Sequence, residues 1–135
     1  MVIDPVMSAK DDVPLFQPEA LTIVRSALLP LAEVVTPDLP EAEVLSEQRI
    51  ETLEDMRAAA RVLHAWGPRH VVVKGGHRAA HPIDVYFDGE RFLELLAERI
   101  HTRYTHGTGC TFATAIAAFL ARGRPESGLA RLGQR

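Results

Sequence analysis

The apolar residues of this chain fall into two kinds of run. Val2-Ile3, Val34-Val35 and His70 to Val73 are short, continuous and mostly β-branched. Each closes on polar or turn-forming residues: Asp4-Pro5, Thr36-Pro37 and Lys74-Gly75-Gly76-His77. Runs of this kind predict strands buried on both faces. Between them the apolar positions recur at helical spacing. Gln17 to Leu29 places Leu21, Val24, Leu28 and Leu29 on one stripe, with Pro18 suited to a first helical turn and Pro30 expected to stop the helix. Pro40 to Leu45 predicts a short helix. Leu53, Met56, Ala60 and Leu63 predict a longer one, opened by a Thr52–Asp55 capping box and closed by Trp66-Gly67-Pro68. Ile83 to Phe87 and Arg91 to Leu96 flank Asp88-Gly89 and predict a hairpin with a tight turn. A last helix is expected from about Thr108 to Arg122, with Phe112, Ile116, Phe119 and Leu120 inward. Lys10 to Pro14 reads as a polar loop, and Pro125 to Leu132 as the start of another helix.

Strands alternate with helices, and the strands are continuous rather than alternating. That pattern predicts an α/β fold with a mainly parallel sheet between two helical layers, plus a late antiparallel hairpin. With no internal repeat, low-complexity segment or linker, residues 1–135 read as a single domain.

Composition narrows the function classes. Hydrophobic residues make up 47%, in the globular range, which argues against wholesale disorder. The net charge of −3 argues against a general nucleic-acid binder. A single cysteine excludes an internal disulfide and fits a reducing cytoplasm. No apolar stretch approaches the roughly 18 residues of a membrane span. Met1-Val2-Ile3-Asp4 lacks the basic and apolar regions of a signal peptide. The expectation is a cytoplasmic protein with neither membrane nor nucleic-acid partners.

The densest chemistry lies in His106-Gly107-Thr108-Gly109-Cys110-Thr111-Phe112, a glycine turn running straight into an apolar helix. The first turn of a helix offers unpaired N–H groups and the positive end of the dipole. Gly107 and Gly109 let that backbone approach an anion, most often a phosphate. The same position lowers the pKa of a thiol. The plainer reading of Cys110 is a small buried apolar residue.

In open α/β sheets the ligand site lies beyond the carboxyl ends of the strands. Asp4, then Thr36, Asp38 and Glu41, then Lys74 with Gly75 and Gly76, follow the three strands in turn. Carboxylates can hold Mg²⁺ directly or through water. A lysine and helix N–H groups can hold phosphate oxygens as charge develops. The set suits phosphoryl transfer from a nucleotide. Plainer readings stand beside it: Asp4 as a strand terminator, Asp38 and Glu41 as a solvated first-turn pair, Lys74 as a surface lysine, and His77, His81 and His106 as loop residues. Neither the Gly-x-x-x-x-Gly-Lys-Ser/Thr phosphate loop nor a dinucleotide fingerprint is present, so a nucleotide must be held another way.

These motifs together carry a resemblance. Val2-Ile3-Asp4-Pro5-Val6-Met7, Pro18-Glu19-Ala20, Val35 to Glu43, Thr52 to Met56, Val72 to His77 and Thr105 to Phe112 resemble, in order and spacing, the hydroxymethylpyrimidine/phosphomethylpyrimidine kinases of thiamine biosynthesis, within the ribokinase-like superfamily. The cysteine of the Gly-Thr-Gly-Cys turn is what sets this group apart from sugar and adenosine kinases, which carry Asp there. The resemblance implies a three-layer ribokinase-like fold and a cytoplasmic transferase that uses ATP and Mg²⁺. The implied substrate is hydroxymethylpyrimidine, and then its monophosphate. It implies Cys110 as base at the substrate hydroxyl and the backbone of Gly107, Thr108, Gly109 and Cys110 as an anion hole. Lys74, Thr36, Asp38 and Gly76 would lie on the ATP phosphates, Asp4 and Glu41 in the Mg²⁺ network, and Val6 in the pyrimidine pocket.

Two departures matter. The family usually has Asn where this chain has Asp38, and an added carboxylate there either repels phosphate or strengthens Mg²⁺ binding. The family is also considerably longer. The chain resembles its C-terminal portion, starting at a mid-sheet strand and stopping before the elements that close the nucleotide side. Two other readings follow: pyridoxal or pyridoxine as substrate, or a catalytically silent fragment that still binds nucleotide. A mid-sheet strand left at an edge also predicts a homo-oligomer formed through residues 1–4.

Overall fold

The computed structural model describes residues 1–8, 17–75, 83–96 and 108–122, with the side chains of 108–112 and 119–120 outside that description. The strands are β1 (Val2–Ile3), β2 (Val34–Val35), β3 (His70–Val73), β4 (Ile83–Phe87) and β5 (Phe92–Leu96). The helices are α1 (Pro18–Ile23), α2 (Leu39–Ser46), α3 (Leu53–Ala65) and α4 (Thr108–Ala121). The strands form one sheet in the order β1-β2-β3-β4-β5. β1, β2 and β3 pair in parallel, while β4 pairs antiparallel with both β3 and β5. Among the described strands four therefore run one way and β4 runs against them, as the continuous apolar runs and the late hairpin predict.

The alternation of side chains assigns the two faces. Val35, Val71, Val73, Val85 and Phe87 point to one core, which they share with Leu39, Ala42 and Leu45 of α2 and Met56, Ala59, Ala60 and Leu63 of α3. Val34, Val72, Tyr86 and Leu95 point to the other, against Ile116 of α4. The sheet is thus covered on both sides, which is why its central strands carry no polar alternation. Leu63 is fully buried, worth roughly 2 kcal/mol relative to exposure. Of the inward positions expected on α4, Ile116 is buried, while those of Phe112, Phe119 and Leu120 lie outside the described side chains.

The capping box expected at the start of α3 forms. Asp55 N–H donates to Thr52 Oγ1 at 3.1 Å, and Thr52 N–H donates to Asp55 Oδ2 at 2.9 Å, so Asp serves where Glu is usual. The same carboxylate accepts the N–H of Glu51 at 3.0 Å, and these donors hold the Asp55 carboxyl below its ordinary range. Thr52→Ala removes the acceptor for the Asp55 N–H. It is expected to destabilise the chain by about 1 kcal/mol in urea unfolding; no change would mean that α3 starts without its cap.

Two local expectations are corrected. The segment after α1 does not stay α-helical to Pro30. It widens over Val24–Leu28 and tightens over Leu29–Leu31. The Leu29 N–H donates to the Val24 carbonyl, five residues back, so Val24 and Leu29 share the buried face and Leu28 turns outward. Pro30 sits early in the tight turn, where its missing N–H costs nothing. The hairpin is also looser than a two-residue Asp-Gly turn, because Phe87 pairs with Phe92 and residues 88–91 form the loop. Asp88 Oδ1 accepts the N–H of Arg91 at 2.7 Å and of Glu90 at 2.9 Å, so the Asp88 side chain closes the loop. The Lys10–Pro14 loop and the helix expected from Pro125 lie outside the described residues.

Candidate active site

The parallel strands end on one edge of the sheet, and the polar residues expected there are on it. Asp4 follows β1, and Thr36 and Asp38 follow β2. Lys74 follows β3, and its N–H donates to the Pro37 carbonyl at 2.8 Å. An isolated parallel bridge pairs Asp38 with Lys74, continuing the β2–β3 register past both strand ends. The Lys74 ammonium donates to Asp4 Oδ1 at 3.2 Å, and the Thr36 hydroxyl donates to the same oxygen at 3.3 Å. Lys74 and Asp4 keep only 17% and 13% of their side-chain surface, so neither is a free surface charge. Asp4 therefore both ends its strand and holds the lysine.

Asp38 caps α2. Its Oδ1 accepts the Glu41 N–H at 2.9 Å, and its own N–H donates to Glu41 Oε2 at 2.8 Å. The helical reading of this pair is correct, but its solvated part is not, since Glu41 is 8% exposed. Burial pushes the Glu41 carboxyl up to about 7, with the charges of Asp38 and Asp4 adding to the rise. The Asp38 N–H and the Lys74 ammonium hold it back. Asp38 thus acts on Glu41 in two opposed ways, through its backbone donor and through its own carboxylate.

A carboxyl group raised on folding favours the folded state in its protonated form. That contribution is complete below about pH 4.5 and is lost as pH rises through about 7. Glu41→Gln keeps an acceptor for the Asp38 N–H and cannot ionise. The full shift corresponds to at most about 3 kcal/mol. Without added divalent cation, the variant is expected to match the parent in denaturant unfolding near pH 4 and to exceed it at pH 8. Equal stability at pH 8 would contradict the assigned burial of this group.

One site residue escaped the sequence reading. Asp84, in β4, stands opposite Leu95 on the sheet face that carries Val72 and Tyr86. Its Oδ1 accepts the Gly75 N–H at 2.8 Å. Burial raises its carboxyl above the ordinary range, opposed by the Gly75 donor and the Lys74 charge. The signal was available as a single charge inside the apolar run Ile83-Asp84-Val85-Tyr86-Phe87. The close passage of Gly75 over β4 explains why glycine stands there. A Cβ on Gly75 would overlap the Ile83 carbonyl oxygen.

Thr108, Gly109 and Cys110 form the first turn of α4, as the glycine turn predicts, and α4 packs against β1, the strand that ends at Asp4. Gly107 and Gly76, with His77, His81 and His106, lie outside the described residues. Val6 is exposed beyond Asp4, held by a turn in which its N–H donates to the Asp4 carbonyl at 2.9 Å. Among the described residues no three His, Cys, Asp or Glu side chains converge as a ready metal cage, and no helix is long and apolar enough to cross a membrane. Among the described residues the edge instead carries one ammonium, Lys74, beside the carboxyl groups of Asp4, Asp38, Glu41 and Asp84. Among these residues the carboxyl groups outnumber the ammonium, so added positive charge would favour a strongly anionic ligand there.

Comparison with known proteins gives a consistent result. The family model described as phosphomethylpyrimidine kinase matches residues 1–128. The thiamine biosynthesis bifunctional protein ThiED of Geobacter sulfurreducens is 48% identical over 126 residues, which cover 93% of this chain and 26% of that protein. The hydroxymethylpyrimidine/phosphomethylpyrimidine kinase of Bacillus subtilis is 41% identical, over 91% of this chain and 46% of that one. Among solved structures, the pyridoxal kinase of Staphylococcus aureus in complex with AMP-PCP superposes with a TM-score of 0.87 at 36% identity, over 98% of this chain and 49% of that chain. The chain spans about half the length, or less, of the curated relatives it matches.

Proposed function

This chain belongs to the phosphomethylpyrimidine kinase family, and on that premise we propose that it carries the phosphate-handling half of an ATP-dependent kinase acting on hydroxymethylpyrimidine and its monophosphate. The observation that carries the reading is the Lys74 ammonium held 3.2 Å from Asp4 beside the Asp38–Glu41 capping box, at the carboxyl edge of a parallel sheet. Lys74 would bind phosphate oxygens of ATP. Thr36, Asp38 and Gly76 would line the same side, and Val6 the pyrimidine pocket. In the transfer, the substrate hydroxyl oxygen bonds to the γ-phosphorus, the bond to the bridging oxygen breaks, and ADP leaves. The hydroxyl proton would pass to Cys110, with the N–H groups from Gly107 to Cys110 facing the transferring phosphoryl group.

Mg²⁺ fits this edge in one manner. It usually keeps several waters and takes one or two carboxylates plus substrate phosphates, rather than a full protein cage. Asp4 and Glu41 would be those carboxylates, and a bound cation would also favour the ionised form of Glu41. When bound, Mg²⁺ would supply neutralisation of phosphate charge. Asp38, in place of the family's usual Asn, adds one more negative charge to that balance.

A pyridoxal-type substrate is the second reading, favoured by the close superposition on a pyridoxal kinase. A homo-oligomer is also proposed, since β1 pairs only with β2 among the described strands and leaves its other edge open. Equilibrium binding of ATP to the purified chain tests the nucleotide part. Binding strengthened at least tenfold by Mg²⁺ is expected, and binding indifferent to Mg²⁺ would overturn the assignment of Asp4 and Glu41.

A further inference from the structure

We propose that Asp84 is a positioning residue for the phosphate-side lysine, acting through the Gly75 backbone. This rests on the proposed reading of Lys74 as an ATP-phosphate ligand. The backbone at Lys74 is fixed from two sides. On the β2 side, the Pro37 carbonyl accepts the Lys74 N–H at 2.8 Å. On the β4 side, Asp84 Oδ1 accepts the next N–H, that of Gly75, at 2.8 Å, and Gly75 passes too close to the Ile83 carbonyl for any Cβ. Regular β3–β4 pairing runs from Val71 to Val73 and goes no further, so past Val73 the Asp84 side chain does what a ladder hydrogen bond would otherwise do.

The choice of residue is informative. A carboxyl group in a mostly buried strand position carries a desolvation cost, and its own burial lifts its pKa. An apolar residue would avoid that cost but would leave the Gly75 N–H without its partner. The Lys74 ammonium donates to Asp4, and its charge also acts on Asp84. Loss of Asp84 removes the acceptor that fixes the Lys74-Gly75 peptide. The ammonium is then no longer held at the height above the sheet where Asp4 and a phosphate can share it.

The test is a double-mutant cycle on the purified chain, using ATP with Mg²⁺ as the probe. Asp84→Ala, Asp84→Asn and Lys74→Met are compared with Lys74→Met/Asp84→Ala, alongside hydrogen exchange of the Gly75 amide. Asp84→Asn keeps an acceptor, so it is expected to hold the ATP Kd within about threefold and keep Gly75 protected. Asp84→Ala is expected to weaken ATP binding about tenfold or more and expose the amide, yet to have almost no further effect once Lys74 is Met. Equal weakening by Asp84→Ala in both backgrounds would overturn the proposal, because Asp84 would then act on the fold and not through Lys74. If the parent chain does not bind ATP, the kinase reading fails by itself. The Gly75 amide then decides the inference, and unchanged protection in Asp84→Ala overturns it. Should Asp84→Ala not fold, loss of Gly75 protection and of ATP binding in the folded Asp84→Asn protein has the same consequence.

Discussion

Lys74→Met is expected to lower kcat/KM for ATP by about 10²–10³-fold while leaving the chain folded. The side chain is anchored through its backbone, since the Lys74 N–H to Pro37 bond and the register with Asp38 do not depend on the ammonium. Methionine retains the apolar stem and removes only the charge. What is lost is, among the described residues, the one cation beside the carboxyl groups of Asp4, Asp38, Glu41 and Asp84. An ATP phosphate approaching that edge then meets uncompensated negative charge. The loss is expected to fall on KM as well as kcat, because the ground-state phosphates feel the same field as the transition state. Lysine to arginine is not a conservative rescue, since the fork of the guanidinium does not fit the single 3.2 Å contact with Asp4 Oδ1. Steady-state kinetics with a melting curve for each variant measures this. Turnover within threefold of the parent would remove Lys74 from the phosphate side.

Cys110→Ala is expected to reduce kcat by about 10²–10⁴-fold and to change the ATP Kd by less than threefold. A base contributes in the transition state and little to nucleotide binding, which on this account rests on the backbone around Cys110 and on Lys74. The thiol is a poor base at its unperturbed pKa of about 8.5. As the proposed base, Cys110 is expected to account for the acid limb of the kcat–pH profile, which should disappear in the variant. Single-turnover kinetics beside equilibrium ATP binding separates the two effects. Equal loss of turnover and of binding would make Cys110 a structural residue of the turn.

Much of this was legible in the residues. β2 and β3 begin and end where the continuous apolar runs do, because strands buried on both faces leave no polar position to blur their limits. The Thr52–Asp55 box was readable because capping needs particular side chains at a fixed spacing, whereas the Asp38–Glu41 pair was read only as a first-turn pair and its box emerged with the structure. The segment after α1 was not. Its shift to a five-residue hydrogen bond at Leu29 is decided by which side chains reach the core, and Val24 with Leu29 wins over Leu28 only once the sheet is in place.

The site divides the same way. Asp4, Thr36, Asp38 and Lys74 were found because topology alone sends the residues after parallel strands to one edge. Asp84 was missed because it enters from the antiparallel strand, whose beginning, not its end, lies on that edge. The burial of Glu41 was likewise hidden, since nothing in Pro40-Glu41-Ala42 tells which way the carboxyl faces.

Whether this sheet edge transfers phosphate to a hydroxymethyl group, as proposed, is decided by ATP-dependent phosphorylation with the purified 135-residue chain, hydroxymethylpyrimidine and pyridoxal being supplied separately. Phosphate transfer to hydroxymethylpyrimidine in preference to pyridoxal is expected, slowed at least about 10²-fold by Cys110→Ala. A folded chain that binds ATP and transfers phosphate to neither compound would overturn the proposed kinase reading.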